Sequence, residues 1–329
     1  MYLRKAAMNV ERTVGRSGIK VSAVGLGTAR IGGLAYSRSG DHETRLIPEA
    51  VEESKRAIRR ALDLGITFFD TADVYGAGRS ERILGEALAG CRNQVALATK
   101  FGEGFDEETG EEIDVEVTPE YIVGACEASL RRLGTDVIDL YLLHLRDLPI
   151  DRTPAIRDAL EDLVSAGKIR GYGWSTDDIE RAALFAEGPH CIAIEHRLNV
   201  MMDAPEMLAL CDAHDLASIG KIPLVTGVLT GRWGPDTVLP ADDRRSEWFG
   251  DEGFQDFLRR AETLRPVLTE DGRSYVQGAL GWILARSPRA IPIPGFRTVE
   301  QVEDTAGTMA HGPLRPEQMA AIDKLLDRS

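Results

Sequence analysis

The feature that most limits how this chain can fold is a repeating alternation along nearly its whole length. Short, β-prone apolar runs are separated by stretches with helical periodicity. The runs are AVGLGT from Ala23, ITFFDTA from Ile66, VALATK from Val95, VIDLYLLH from Val137, IRGYGWS from Ile169, CIAIEH from Cys191, ASIGKIPL from Ala217 and AIPIPG from Ala290. Several are continuously apolar, as strands covered on both faces must be. Between them, Thr118-Pro119 and Thr153-Pro154 each set a hydroxyl cap before a proline suited to the first helical position. Ile122, Cys126, Ser129, Leu130 and Leu133 form one helix face that Gly134 stops; Ile156, Ala159, Leu160, Leu163 and Val164 repeat the pattern up to Gly167. Pro48, Ser80 and Asp203 lead into further helices, and TVEQ at Thr298 reads as a capping box closed by Gln301.

This alternation predicts α/β architecture as a closed (β/α)8 TIM barrel. A doubly wound sheet that binds a dinucleotide carries G-x-G-x-x-G after a strand, and GLGTARIGG at Gly25 lacks that spacing. The preceding ERTVGRSGIKVS predicts an N-terminal β-hairpin around Gly15 to Gly18 on the barrel floor. No linker divides the chain, so residues 1–11 read as a short extension and 12–329 as one barrel domain.

Composition narrows the partners. A formal charge of −14 argues against a surface for nucleic acid or anionic membrane. No run approaches the roughly 18 apolar residues of a membrane helix, and the opening MYLRKAAMNV lacks the apolar core of a signal peptide. Cys91, Cys126, Cys191 and Cys211 form no C-x-x-C pair, which predicts free thiols rather than zinc or disulfides. A cytoplasmic location is the expectation.

Two connections are long: FGEGFDEETGEEIDVEV after the third strand, and the stretch from about Val225 to Gly272. Both follow strands, so both belong on the C-terminal face, where barrel active sites sit. Phe105 on the first and Trp233, Trp248 and Phe249 on the second are candidates to line a substrate pocket. The acidic segment Glu103 to Glu116 has eight carboxylates and no base, and reads as a solvated, flexible loop with no metal-ligand spacing. Strand alternation sends Trp174 away from its neighbour Ser175, under a helix; His190 and His196 take a core or surface reading.

The strand ends carry the chemistry. Asp70 ends the second strand, Lys100 the third and His144 the fourth, and Tyr75 lies just past Asp70. A single charge at a strand end is ordinary, but four such groups on consecutive strands about 4.8 Å apart can converge. A phenol with a pKa of about 10 needs help to give up a proton at neutral pH. A nearby ammonium supplies it by stabilising the phenolate. Lys100 can play that part, with Asp70 holding it charged and His144 orienting a carbonyl oxygen. A lysine at a barrel strand end also suits a Schiff-base aldolase, with Lys100 as nucleophile.

These residues resemble the aldo-keto reductase superfamily across nearly the whole chain. The likeness runs from the R-x-x-G-x-x-G-x-x-V-S-x-x-G-L-G-T opening (Arg12 to Thr28) through FFDTADVYG, ATK, DLYLLH, SAGKIRGYGWS, PLVTGVLTG and IPIPGFRTVEQVEDTA. It implies a (β/α)8 barrel that binds NADP(H) without a Rossmann domain and reduces a small-molecule carbonyl substrate, an aldehyde or ketone. Asp70, Tyr75, Lys100 and His144 match the family's catalytic tetrad, with Tyr75 as proton donor. Gly27 and Thr28 match a backbone contact near the nicotinamide, and Ser175, followed by Thr176, the serine that holds its carboxamide. Pro223, Leu224 and Thr226 match the loop across the pyrophosphate. Gly295, Phe296, Arg297, Thr298, Gln301, Asp304 and Thr305 match the adenosine-phosphate end, where a helix start and the Arg297 guanidinium suit a 2′-phosphate.

The sequence departs from the family pattern at four points. Thr176 follows Ser175 where an asparagine is common. Ala193 stands where a carboxamide-binding glutamine is common. Lys221 replaces an aromatic that stacks on the nicotinamide, and its cation could reach the cofactor or a substrate carboxylate. Thr305 replaces an asparagine at adenine. A cofactor-binding sensor or regulatory subunit on the same fold is the alternative that the resemblance leaves open.

Overall fold

The apolar runs pair in the order in which they are made. The computed structural model describes residues 11–31, 48–145, 147–234, 237–238, 246–249 and 251–328. A hairpin of β1 (Glu11–Thr13) and β2 (Lys20–Ser22) comes first, turned by a 3-10 element at Gly15–Ser17. Then follow β3 (Leu26–Gly27), β4 (Phe68–Asp70) and β5 (Ala96–Phe101). A second hairpin, β6 (Gly104–Phe105) with β7 (Glu112–Ile113), interrupts the series. The series resumes with β8 (Leu140–Leu143), β9 (Tyr172–Ser175), β10 (Cys191–Arg197), β11 (Ala217–Lys221) and β12 (Ala290–Pro292). Outside the two hairpins these named strands pair in parallel, each with its neighbour in chain order. The ring closes where the N–H groups of Gly25 and Gly27 donate to the carbonyls of Pro292 and Pro294, each at 3.0 Å. This is the expected TIM barrel.

The helices cover it from outside. In chain order they are α1 (Pro48–Asp63), α2 (Arg79–Ala87), α3 (Pro119–Leu133), α4 (Thr153–Ser165), α5 (Ile179–Ala186) and α6 (Pro205–Ala213). Four more lie before the last strand: α7 (Ser246–Phe249), α8 (Glu252–Glu262), α9 (Arg265–Leu268) and α10 (Tyr275–Arg286). After β12 come α11 (Val299–His311) and α12 (Pro316–Leu325). Thr118 caps α3 by accepting the Tyr121 N–H, and left-handed Gly134 ends it, as the sequence implies.

Local readings need three corrections. Thr153 is not a cap: the turn Ile150–Arg152 already carries the chain into helical geometry, so α4 includes it. At α11 only half of the capping box forms; Thr298 accepts the Gln301 N–H, but the Gln301 side chain takes the Arg297 N–H instead of the cap's own. The acidic segment is a hairpin rather than a flexible loop, tied down by Glu107 against Arg82. The long stretch from Val225 holds a turn and helices α7 to α9. Among the described residues no helix is long and apolar enough to cross a membrane, and no group of ligating side chains could hold a metal.

Strand alternation sorts the side chains into two cores. Phe69, Leu97, Tyr141, Leu143, Trp174 and Ile194 point outward into the helix layer, where Trp174 packs against Phe185 of α5. Phe68, Ala96, Ala98, Leu140, Leu142, Ala193, Ala217, Ile219 and Ile291 fill the barrel. Val14 and Val21 of the first hairpin join this inner cluster, so the hairpin plugs the floor as expected. Space inside is tight: a Cβ on Gly173 would lie 2.0 Å from the Ala193 carbonyl, so only glycine fits there.

Candidate active site

On six of the eight barrel strands the inward series, taken one step further toward the C-terminal end, turns polar. Phe68 is followed by Asp70, Ala98 by Lys100, Leu142 by His144, Gly173 by Ser175, Ala193 by Glu195 and Ile219 by Lys221. The period of two therefore stacks a layer of polar and charged groups on an apolar plug, at the mouth where βα loops meet.

The Asp70–Lys100 pair anchors this layer. Both are buried, and Lys100 Nζ lies 2.7 and 2.6 Å from the two Asp70 oxygens and 2.9 Å from the Thr71 carbonyl. Those contacts use all three ammonium protons. Burial opposes the charge of Lys100, but Asp70 and Glu195 overcome it and hold the lysine well above its ordinary pKa. Burial and the charge of Glu195 push the Asp70 carboxyl up, against the pull of Lys100.

Tyr75 and His144 stand beside that pair. The Tyr75 ring centre is 5.3 Å from Lys100 Nζ and meets the His144 ring edge-on at 6.0 Å. His144 Nδ1 is 3.4 Å from a Glu103 oxygen. A strained turn fixes Tyr75: Gly76, Ala77 and Gly78 all have left-handed φ, and the Tyr75 carbonyl accepts the Ser80 N–H. A left-handed alanine costs about 1–2 kcal/mol, and that strain persists only where surroundings over-determine the turn. They do so here. Thr71 donates to Ser80, Ser80 to Thr28, and Thr28 to the Asp70 carbonyl, a buried hydroxyl chain that ties α2 to the end of β4. Thr28 is thus spent on supporting Asp70.

Glu195 is the residue that sequence reasoning missed. It is 2 % exposed; its Oε1 accepts from Ser175 Oγ at 2.8 Å, and that oxygen accepts from Lys221 Nζ at 2.9 Å. Its Oε2 lies 3.3 Å from Lys100 Nζ but receives no hydrogen bond, because the lysine protons are already engaged. Burial works against its charge, yet Lys100, Lys221, His144 and the Ser175 hydroxyl hold its carboxyl down at about 2. Ala193, at the position where a carboxamide-binding glutamine is common, lies in the apolar layer, and the polar side chain next to Ser175 is Glu195, two residues on. Strand parity was the signal that could have found it. Thr176 is buried as well, and its hydroxyl accepts the Asp178 N–H at the start of α5.

The positions matched to a dinucleotide lie around the same mouth. Gly27 bridges Gly295, which brings the β3 end and the post-β12 segment together. After β11, Ile222, Val225 and Thr226 all have left-handed φ, a concentration of backbone strain flanking Pro223 and Leu224. Phe296 is buried while Gly295 and Arg297 are exposed. Two matched groups are already engaged: the Asp304 carboxylate accepts from Gln277, and Thr305 is buried. The Val299 N–H at the start of α11 donates to Glu53 of α1, so an acidic group shares the helix end matched to a 2′-phosphate. The donor set fits a nicotinamide dinucleotide at its reactive end, since the orphaned Glu195 Oε2 is an acceptor suited to a carboxamide N–H.

The candidate pocket aromatics divide. Trp233 packs on Gly227 of the strained turn and meets Phe249 at 5.9 Å, while Trp248 and Phe249 both contact Phe254 of α8. Phe105 lies against the Arg132 guanidinium of α3.

Comparison with known proteins places this arrangement. The aldo/keto reductase family model matches residues 23–327. The chain is 33% identical to the NADP(+) aldo-keto reductase yakc of Schizosaccharomyces pombe over 80% of this chain and 79% of that protein. It is equally similar, at 33%, to the aldo-keto reductase YhdN of Bacillus subtilis, over 96% and 93% of the two chains. Among solved structures, a glycerol dehydrogenase from Gluconobacter oxydans superposes with a TM-score of 0.82 at 30% identity, covering 98% and 96%. An aldo/keto reductase from Klebsiella pneumoniae, solved with NADP and acetate, superposes at 0.72 with 26% identity, covering 96% and 95%. The chain belongs to the aldo/keto reductase family, a family of oxidoreductases.

Proposed function

We propose that this protein is an NADPH-dependent reductase of aldehydes or ketones, with Tyr75 as the general acid. The observation that carries the reading is the buried Asp70–Lys100 pair directly beside the Tyr75 ring. When bound, the dinucleotide supplies the hydride that reaches the carbonyl carbon. The rest is the work of the chain. The Tyr75 hydroxyl gives its proton to the carbonyl oxygen as charge builds there, and its phenolate is stabilised by the Lys100 ammonium. Asp70 keeps that ammonium ionised and fixed in direction. His144, edge-on to Tyr75, orients the carbonyl oxygen by a ring N–H. Ser175 and Glu195 would hold the carboxamide, and the strained Ile222–Gly227 turn the pyrophosphate. Arg297, exposed at the start of α11, supports NADP over NAD, as does the cofactor named for the Schizosaccharomyces pombe and Klebsiella relatives. Glu53 at that helix end pulls the other way, so NADPH and NADH should be titrated side by side.

The aldolase reading loses ground, because a fully buried ammonium gripped by both oxygens of Asp70 is the opposite of a free amine nucleophile. Tyr75→Phe is the decisive variant. It should bind NADPH as tightly as wild type, by fluorescence, while turnover of a carbonyl panel falls by about 10²–10⁴-fold. Unchanged turnover in Tyr75→Phe would sink the assigned mechanism; binding without turnover by wild type would favour a sensor.

A further inference from the structure

The second carboxylate of the mouth has no part in the proton transfer above. Glu195 and Lys100 sit in one buried layer with Oε2 and Nζ 3.3 Å apart, and Glu195 is joined through Ser175 Oγ to Lys221. Asp70 is matched one-to-one by Lys100, which gives it two hydrogen bonds. Glu195 is matched less completely: one oxygen takes the Ser175 hydroxyl, the other takes no hydrogen, and the Lys221 ammonium lies beyond Ser175. Two carboxylates face two lysines in this layer, but the Glu195 carboxylate is compensated less directly than Asp70, because its Oε2 takes no hydrogen bond and Lys221 is held one hydroxyl away.

Tyr75 fixes where a carbonyl oxygen can sit, and a hydride passes only between groups in contact. Any hydride donor must therefore share the mouth with Tyr75, over the layer that contains Lys100, Ser175 and Glu195. The nicotinamide ring is neutral when reduced and carries one positive charge when oxidised.

We propose that Glu195 is a redox-form-discriminating residue, whose carboxylate favours the oxidised cofactor over the reduced one, with Lys221 as the cation that limits the bias. The inference rests on the reading of this mouth as a nicotinamide site. The phosphates and ribose are common to both cofactor forms, so their contacts cancel in the ratio of the two dissociation constants. That ratio isolates the charge felt by the ring.

The test measures Kd for NADP+ and for NADPH by fluorescence and calorimetry, in wild type, Glu195→Gln and Lys221→Met. In Glu195→Gln the ratio Kd(NADP+)/Kd(NADPH) should rise by at least about fivefold, the effect of one unit charge about 4 Å away even when screened as in bulk water. In Lys221→Met it should fall, because the anion is then less offset. Shifts of opposite sign support the proposal, since a general loosening of the site weakens both forms together. Ratios within twofold of wild type in the folded variants overturn it. Should Glu195→Gln fail to fold, the half-exposed Lys221 carries the test by itself, and an unchanged or increased ratio in Lys221→Met overturns it. Wild type that binds neither form removes the functional reading first, a result distinct from binding with an unmoved ratio.

Discussion

Two carboxylate–lysine arrangements occupy one layer of this barrel, and they are built differently. On β4 and β5, Asp70 and Lys100 meet directly, both buried, with every ammonium proton engaged. On β9 to β11, Glu195 and Lys221 meet only through Ser175, one carboxylate oxygen takes no hydrogen bond, and the lysine reaches the surface. The first has the saturation expected of a fixed electrostatic support, whose charge is held in place by its own neighbours. The second leaves an acceptor open, as suits a place where another molecule completes the bonding. The same pair of residue types gives a closed device on one side of the mouth and an open one on the other. The difference lies in where the cation's protons point.

The contrast can be broken by measuring stability in urea at pH 7, where midpoints and slopes separate the variants. Lys100→Met strands two buried carboxylates and should cost the most, about 3–5 kcal/mol, with loss of turnover. Ser175→Ala removes the donor to Glu195 Oε1 without removing a charge and should cost about 1–3 kcal/mol. Lys221→Met removes a partly exposed cation and its hydrogen bond to Ser175, and should cost about 1 kcal/mol, the least of the three. Equal losses for Lys100→Met and Lys221→Met would show that both sides are closed, and the distinction drawn here would fall.

Much of this molecule was legible in its sequence, and the reason is periodicity. Parallel strands buried on both faces read as apolar runs, so the runs found from Ala23 to Ala290 are the strands of the barrel. Asp70, Lys100 and His144 stood out because a charge at the end of such a run is anomalous, and they do share one corner with Tyr75. Loops carry no such repeat. The acidic stretch after β5 looked featureless, yet pairs as a hairpin, because the Glu107–Arg82 contact that pins it spans 25 residues. The helices beyond Val225 were hidden for the same reason. Glu195 was missed although its parity was available, since a charge inside CIAIEHR reads as the edge of a strand until the layer it joins is known.

By itself, then, the sequence determined which segments become the barrel strands, which side of each faces inward, and which polar groups crown them. These follow from local chemistry, a period of two set against 3.6. The tertiary structure decided who bonds to whom in the crown. That outcome depends on ring closure, on the 2.0 Å approach that makes Gly173 necessary, and on three ammonium protons being spent before Glu195 could claim one. No local pattern encodes that competition, because it arises only when the strands stand side by side.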